Sequence, residues 1–248
     1  MTTPATETSP QTYARLGGFL YLVLIFAGSL GEIFIRGKMV VSGDAVATAH
    51  HIMASESLWR LGIAGDLVMH VCDVFVMWCI YVLLRPVNRN LALLNLLLNL
   101  IQTAVAVANK LSLFVPLFLL GNAGYLKTFD PAQLEAWSYI AIRVHGYGYG
   151  VALIFFGFVC LVEGWLIRRS RFLPAILGVL IQIAGVCYLV NSSALLLAPA
   201  IQARLFPAIM LPCFIAELSL ALWLLIQGVD VETWRSRTQS ESESPTPR

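Results

Sequence analysis

Charge is scarce in this sequence, and that scarcity limits what the protein can be. Only 12% of its 248 residues are Asp, Glu, Lys or Arg, whereas soluble domains carry roughly 25%. The formal net charge is +2, and no basic run exceeds the short cluster Arg168, Arg169 and Arg171, so the chain lacks the basic surface that binds nucleic acid. The composition argues against a soluble domain, and we expect no nucleic-acid partner.

The sequence signatures of several common chemistries are also missing. There is no P-loop, dinucleotide-binding glycine fingerprint, GxSxG or kinase motif, so we do not expect nucleotide-driven work by this chain alone. There is no HExxH, and the cysteines form no CxxC motif; all five lie inside apolar segments, where free cysteines usually serve as packing residues. We expect no cofactor.

Long apolar segments are what the sequence does contain. Hydrophobic residues make up 58% of the chain, and the mean hydropathy is +0.79. Each apolar block is long enough to cross roughly 30 Å of hydrocarbon at 1.5 Å per residue. The blocks cover residues 14–35, 58–84, 91–120, 138–167, 173–198 and 204–228. The sequence therefore predicts an all-α, polytopic membrane protein with six transmembrane helices.

The two ends of the chain are polar and differ from this central part. Residues 1–12 and 231–248 are too hydrophilic to bury a core, so we expect two disordered cytoplasmic tails around a six-helix transmembrane domain at residues 13–230. The first apolar block is too long for the hydrophobic region of a signal peptide and lacks a clear cleavage site, so we expect it to stay as an anchor.

Basic residues near the helix ends predict the orientation. One side carries eight of them, namely Arg15, Arg85, Arg89, Arg168, Arg169, Arg171, Arg235 and Arg237. The other side carries five, namely Arg36, Lys38, Arg60, Lys127 and Arg204. Positive charge is enriched on the cytoplasmic side of membrane proteins, so we expect both termini in the cytoplasm (N-in/C-in). Glu163 and the nearby arginines are expected to anchor the inner end of the fourth helix.

Residues that typically cap or interrupt helices predict where helices begin and where they bend, both between and within the apolar blocks. Asp44 is a suitable N-cap for a surface helix near residues 45–54, and Asp130-Pro131 predicts a helix that begins at Pro131. That helix would be about 56 Å long if it continued to residue 167, so it must protrude, tilt or break; the glycines at 146, 148 and 150 mark a break or a close-packing point. Pro116 should kink the third helix near its outer end.

A stripe of polar residues runs along the third block. Its members are three or four residues apart, a spacing that places them on one helical face: Asn95, Asn99, Gln102, Ala106 and Asn109. We expect this face to contact protein and not lipid. The amides can join neighbouring helices by hydrogen bonds, or they can line a polar cavity that leads to Lys110.

Ionisable residues inside the blocks predict a buried polar cluster. The burial of such a residue in a bilayer costs free energy unless the residue is paired, so each of them is a candidate for a functional role. Most fall in the outer half of the predicted bundle, and opposite charges at a common depth can neutralise one another. The predicted cluster contains Glu32, Arg60, Asp66, Lys110, Arg143 and Glu217. It is either an ion-pair network that fixes helix register or an outward-facing pocket for a small ligand or for protons.

A metal-dependent enzyme is the alternative from another class. Asp66, His70 and Asp73 lie at positions i, i+4 and i+7, which share one helical face, and His145 on the fourth helix could add a further ligand. An intramembrane metal-dependent or lipid-modifying enzyme could be built on these four residues. A structural or sensor subunit of a membrane complex is a third alternative. These three functions are the alternatives that the sequence leaves open.

Four segments resemble a known family. They are ARLGGFLYL from Ala14, GDAVATAHHIMASESLWRLGI from Gly43, YVLLRPVNRNLALL from Tyr81 and WLLIQGV from Trp223. Over residues 14–230 the chain resembles the bacterial membrane family catalogued as domain of unknown function 4386. The resemblance implies a small multi-pass protein of the bacterial inner membrane, and it assigns no catalytic residue.

Overall fold

Helices account for the regular structure of this protein. A computed structural model describes residues 9–243, and the side chains of residues 9–239; within that range it contains no strand. Among residues 9–243, six helical segments are long and apolar enough to cross a membrane, which confirms the predicted number. We call them spans 1 to 6: Pro10–Met39, Glu56–Leu84, Arg89–Leu119, Pro131–Ser170, Ala175–Leu197 and Ala208–Ile226.

The spans expose large apolar side chains on their outer surfaces. Phe19, Phe26, Val71, Ile176 and Ile226 are each more than half exposed. A soluble protein rarely exposes an apolar surface of this extent, whereas a bilayer covers it. Composition, length and exposure together show an all-α membrane protein.

Several spans are composed of more than one helix. Span 1 joins α1 (Pro10–Ser29), a π-helical turn (Leu30–Arg36) and α2 (Gly37–Met39), and a surface helix α3 (Ala45–Ala54) follows it. Span 2 is α4 (Glu56–Leu84), and span 3 joins α5 (Arg89–Asn109), a 3-10 turn (Lys110–Leu113) and α6 (Val115–Leu119). A 3-10 turn (Gly124–Thr128) precedes span 4, which is α7 (Pro131–Ser170); span 5 is α8 (Ala175–Leu197). A short helix α9 (Pro199–Leu205) and a 3-10 turn (Ala208–Met210) lead into α10 (Leu211–Ile226), and α11 (Val231–Glu243) ends the described chain.

The six spans form a closed ring. Each packs against the next along the chain, and span 6 returns to pack against span 1. Glycines allow the closest approaches. A Cβ atom at Gly18 would lie 2.4 Å from the backbone nitrogen of Leu225, and one at Gly164 would lie 2.4 Å from the carbonyl oxygen of Gly178. Spans 4 and 5 therefore approach each other backbone to backbone at Gly164 and Gly178.

The N-terminal ends of two helices match their sequence signals. Asp44 accepts a hydrogen bond from the backbone N–H of Ala47 and caps α3, while Asp130 and Gln133 form a capping box at the start of α7. Both predictions are confirmed. The hydroxyl of Tyr139 accepts a hydrogen bond from the backbone N–H of Gly43 at 2.7 Å, which ties the segment before α3 to the N-terminal part of span 4.

Span 4 does not break at its glycines. It is one helix of 40 residues. Gly148 lies against the side chain of Asn109, and Gly150 lies against Leu195, whereas a Cβ at Gly146 would meet nothing within 4 Å. Two of the three glycines are thus sites of close packing, and the neighbouring spans support the continuous helix.

Span 3 is interrupted just before Pro116, the residue that was predicted to kink it. Helix α5 ends at Asn109, and the 3-10 turn separates it from α6, which has Pro116 in its first turn. Proline has no N–H to donate to the preceding turn, which favours such an interruption. The carbonyl oxygen of Leu113 in this turn accepts a hydrogen bond from the indole Nε1 of Trp59 at 2.9 Å.

The C-terminal segment differs from the expected disordered tail. Residues 231–243 form α11, and the buried indole of Trp234 donates a hydrogen bond to the carbonyl oxygen of Leu83 at 2.9 Å. Asp230 caps this helix through the backbone N–H of Thr233, and that hydrogen bond lowers the pKa of the Asp230 carboxyl. The contact of the Trp234 side chain with the bundle and the cap by Asp230 therefore stabilise a helix in a segment whose composition is polar. The first helix also begins earlier than expected, at Pro10; residues 1–8 and 244–248 of the predicted tails lie outside the described residues.

Candidate functional site

Asp66 is the centre of a buried ion-pair cluster that joins three spans. Its side chain is completely buried on span 2. Nη1 of Arg36 donates a hydrogen bond to Oδ2 at 2.7 Å, and Nη2 donates to Oδ1 at 3.0 Å. Nζ of Lys110 on span 3 lies 3.0 Å from the same Oδ2. A buried charge is tolerated only when it is paired and hydrogen-bonded, and Asp66 meets this condition three times.

The π-helical turn of span 1 brings Arg36 to this cluster. Arg36 is 7% exposed, and its Nε donates to Oε2 of Glu32 at 2.8 Å. A Cβ atom at Gly31 would lie 2.5 Å from Oδ1 of Asp66, so the absence of a side chain there lets span 1 approach the carboxylate. π-helical turns within longer helices occur often at functional sites, because they redirect side chains.

Two aromatic side chains of span 4 lie beside the ammonium group of Lys110. Its Nζ lies 3.3 Å from Nε2 of His145 and 5.3 Å from the centre of the Tyr149 ring. The rings of His145 and Tyr149 lie nearly parallel, with their centres 6.3 Å apart. Four spans therefore contribute to one layer of charged and aromatic side chains.

A cavity of about 580 Å³ opens beside this layer. Glu32, Arg36, Asp66 and Lys110 line it, and so does Arg143 of span 4. Within the described residues no ion pair involves Arg143, which is exposed. We call this space the outer cavity. The carboxylates of Glu32 and Asp66 balance the charges of Arg36 and Lys110, so Arg143 gives the outer cavity one unmatched positive charge.

An apolar groove of about 600 Å³ adjoins the outer cavity between spans 1 and 6. The two share Gly28, Ser29, Ile33, Met69 and Met210 among their walls. Ile33 on span 1, and Leu211 and Phe214 on span 6, are exposed apolar side chains of this groove. The charged cavity therefore continues sideways into a surface that faces hydrocarbon.

The structure brings together four of the six residues predicted to form the polar cluster, namely Glu32, Asp66, Lys110 and Arg143. It places Arg60 elsewhere, which corrects the predicted membership: Arg60 pairs with Glu56 on the surface of span 2, where both side chains are about half exposed. Six residues correspond to about 240° around a helix, so Arg60 and Asp66 point in different directions. Arg36, which was counted only among the basic residues near the helix ends, is the arginine that pairs with Asp66 in the cluster.

Glu217 lies in a second, inner cavity of about 80 Å³ at the centre of the ring. Every span contributes a side chain to its wall, and the polar ones include Tyr21, Asp73, Gln102, Glu163, Tyr188 and Glu217. The hydroxyl of Tyr188 donates a short hydrogen bond to Glu217. Glu217 is therefore buried in the bundle as expected, but with a tyrosine for a partner and not with a cation.

The predicted polar stripe of span 3 faces this interior and not lipid. Asn95, Asn99 and Gln102 are at most 6% exposed. Asp73 accepts hydrogen bonds at Oδ2 from Thr103 at 2.5 Å and from Asn99 at 3.3 Å. Asn95 lies beside the carboxyl of Glu163. The amides therefore join neighbouring spans, as the first alternative predicted. Of the stripe, Gln102 lines the inner cavity, whereas Lys110 lines the outer one, so the stripe does not form a cavity that leads to Lys110.

Glu163 was not predicted as a site residue. It was expected at the membrane interface beside the arginines, but it is 5% exposed and lines the inner cavity. Its place inside the apolar block at residues 138–167 was the available signal, because a carboxyl within such a block needs hydrogen-bond donors.

The four residues considered as metal ligands, Asp66, His70, Asp73 and His145, do not form a metal centre. Asp66 is occupied by Arg36 and Lys110, and Asp73 by Thr103 and Asn99, while His145 lies beside Lys110. Over residues 9–239, no group of three His, Cys, Asp or Glu side chains is arranged to hold a metal ion. Asp66, His70 and Asp73 do share one face of span 2. Asp66 lines the outer cavity, however, whereas His70 and Asp73 line the inner one, so the three do not form one set of metal ligands.

Comparisons with known proteins place the chain in a family. It is 26% identical over 166 residues to an uncharacterized protein of Archaeoglobus fulgidus, an alignment that covers 67% of this chain and 83% of the relative. No solved structure matches the chain. A family model described as "Domain of unknown function (DUF4386)" matches residues 16–228, and the chain therefore belongs to the DUF4386 family.

Proposed function

We propose that this membrane protein binds a single-chain amphiphile with an anionic head group, such as a long-chain carboxylate. The unmatched charge of Arg143 carries the proposal. The two carboxylates of the outer cavity already neutralise Arg36 and Lys110, so the remaining guanidinium favours an anion. Guanidinium groups bind carboxylates and phosphates through paired hydrogen bonds.

The adjoining groove supports an apolar chain on the same ligand. A volume near 600 Å³ is within the range of small-molecule sites, and its walls are mainly apolar. Because the groove lies between spans 1 and 6 among side chains that face hydrocarbon, a ligand can enter from the bilayer with its chain in the groove and its head group near Arg143. No water-filled entrance is required for this path.

The orientation of the protein completes the proposal. From the distribution of basic residues we place both termini in the cytoplasm, in a bacterial inner membrane. The outer cavity then faces the non-cytoplasmic side, near the level at which lipid head groups lie. The ligand would therefore be taken from, or delivered to, the outer leaflet.

Spin-labelled stearic acid tests this function. In proteoliposomes, the fraction of label immobilised by wild-type protein should exceed that of its uncharged methyl ester. Arg143→Gln should lower the apparent affinity for the acid by about tenfold, the value of a lost charge-assisted hydrogen bond. Arg60→Gln is the matched control, because Arg60 is an exposed arginine outside the cavity. Equal immobilisation of acid and ester, or wild-type affinity in Arg143→Gln, would contradict the proposal.

A further inference from the structure

The inner cavity contains three buried carboxyl groups and no cation. Asp73, Glu163 and Glu217 are between 5% and 8% exposed, and they line one cavity. Glu217 also lines the apolar groove between spans 1 and 6. Arg36 and Lys110 line the outer cavity and not this one. Three carboxylates together in a low-dielectric bundle would repel one another and would lose their hydration without compensation. Protonation of the carboxyl groups removes both the repulsion and the cost of lost hydration.

Unpartnered polar atoms around the carboxyls independently indicate missing hydrogen-bond partners. Nε2 of His70, Oδ1 of Asn95 and Oδ1 of Asn99 are buried, and each lacks a partner among the described residues. His70 is 3% exposed and lines the cavity. Asn99 donates to Asp73 and Asn95 lies beside Glu163, so both unpartnered amide oxygens belong to side chains that contact a carboxyl. Buried polar groups normally have partners, and carboxyl O–H groups and water supply the donors needed here.

The groups around the carboxyls suit protons better than a metal cation. Asp73 and Glu217 already accept hydrogen bonds from Thr103, Asn99 and Tyr188, so donors occupy part of the space that a cation would need for oxygen ligands. A volume of about 80 Å³ has room for a few water molecules. The titratable groups that face the cavity are Tyr21, His70, Asp73, Tyr149, Cys160, Glu163, Tyr188 and Glu217, and span 3 adds the neutral Gln102.

This cavity adjoins the outer one. Tyr149 is the polar side chain among the three that line both cavities, the other two being Met69 and Leu153. His70 lies one helical turn from Asp66 and a little less than one turn from Asp73, so it stands between the ion-pair cluster and the inner carboxyls. An imidazole can take up a proton on one nitrogen and release one from the other.

We propose that the inner cavity is a proton-binding site, in which Asp73, Glu163 and Glu217 hold protons that arrive from the outer cavity past His70 and Tyr149. The protons come from the aqueous phase and return to it, and no covalent bond to carbon changes. This inference does not rest on the outer ligand. Failure of stearate binding in the preceding experiment would leave the inner carboxyls and their protons unaffected.

Infrared spectroscopy of the purified protein in detergent tests the site. At neutral pH the wild-type protein should show the carbonyl band of protonated carboxyl groups, which exposed Asp and Glu residues do not contribute. Asp73→Asn, Glu163→Gln and Glu217→Gln should each remove a part of that band, and Glu56→Gln, which changes an exposed carboxyl, should leave it intact. Absence of the band from wild-type protein would overturn the proposal without recourse to any variant. A band unchanged in all three inner variants would overturn it as well.

Exchange into deuterated water tests the route. The band should shift as the carboxyl protons exchange, and His70→Leu should slow that shift by about tenfold or more, because a positioned acid–base group accelerates proton transfer at least to that extent. His50→Leu is the matched control, since His50 is exposed on α3. Exchange at the wild-type rate in His70→Leu would overturn the assignment of His70.

Discussion

Arg36 holds Asp66 through two parallel hydrogen bonds, from Nη1 to Oδ2 at 2.7 Å and from Nη2 to Oδ1 at 3.0 Å. This paired geometry is the strongest arrangement available to a guanidinium and a carboxylate. Lys110 approaches the same carboxylate from span 3. Asp66 thus joins spans 1, 2 and 3. Its removal would leave the buried ammonium of Lys110 without a counter-charge and Arg36 with the exposed Glu32 as its remaining carboxylate partner.

Asp66→Asn should destabilise the protein by about 3–5 kcal/mol, the usual cost of breaking a buried ion pair from one side. Glu56→Gln is the control, because its exposed pair with Arg60 should contribute about 1 kcal/mol or less. Thermal unfolding in detergent, followed by circular dichroism, measures both. Adding Lys110→Met to Asp66→Asn should restore part of the loss. Equal unfolding temperatures for Asp66→Asn and Glu56→Gln would contradict this account.

Gly164→Ala should cost about 1–3 kcal/mol by forcing spans 4 and 5 apart. The new Cβ would lie 2.4 Å from the carbonyl oxygen of Gly178, which is backbone and cannot rotate away. Gly146→Ala on the same helix is the control. Nothing lies within 4 Å of its Cβ position, so alanine there should be neutral or slightly stabilising. The difference in unfolding temperature between the two variants is the measurement, and its absence would refute direct helix contact at Gly164.

The indole of Trp234 should hold the C-terminal helix on the bundle. Trp234→Phe keeps an aromatic ring but leaves the carbonyl of Leu83 without its donor, at a cost of about 1–3 kcal/mol. Trp223→Phe, at a site that is 37% exposed, is the control and should cost less. Hydrogen exchange of residues 231–239, read by mass spectrometry, should accelerate only in Trp234→Phe. Equal protection in both variants would count against the anchor.

Cysteine labelling of cells tests the proposed orientation. His50→Cys on α3 should react with a membrane-impermeant maleimide in intact cells, whereas Arg89→Cys at the start of α5 should react only after the membrane is permeabilised. Both positions are exposed, and four of the five native cysteines are buried, which keeps the background low. The opposite pattern would invert the protein in the membrane.

Much of the fold could be predicted because it depends on local patterns. The length of apolar runs gives the spans, and the spacing of Asn95, Asn99 and Gln102 gives a buried helical face, since both depend only on 1.5 Å and 100° per residue. Caps such as Asp130 act within one turn. None of these signals requires knowledge of another helix.

The partners of the site residues could not be predicted in the same way. Arg36 reaches Asp66 only because a π-helical turn alters the register of span 1, and hydrophobic periodicity does not reveal such a turn. The separation of Asp66 from Asp73 depends on which side chains of spans 1 and 3 meet each of them. The anchoring of α11 depends on one distant contact, between Trp234 and Leu83. These contacts depend on packing between helices that are far apart in sequence.

The closed ring of spans has a consequence for assembly. Span 1 packs against span 6, although the two are the farthest apart in sequence, and Gly18 fits directly against the backbone of span 6. Without this contact the six spans would form an open arc, and the inner cavity would lack the part of its wall that contains Glu217. Enclosure of the inner carboxyls therefore depends on the contact that joins the two ends of the arc.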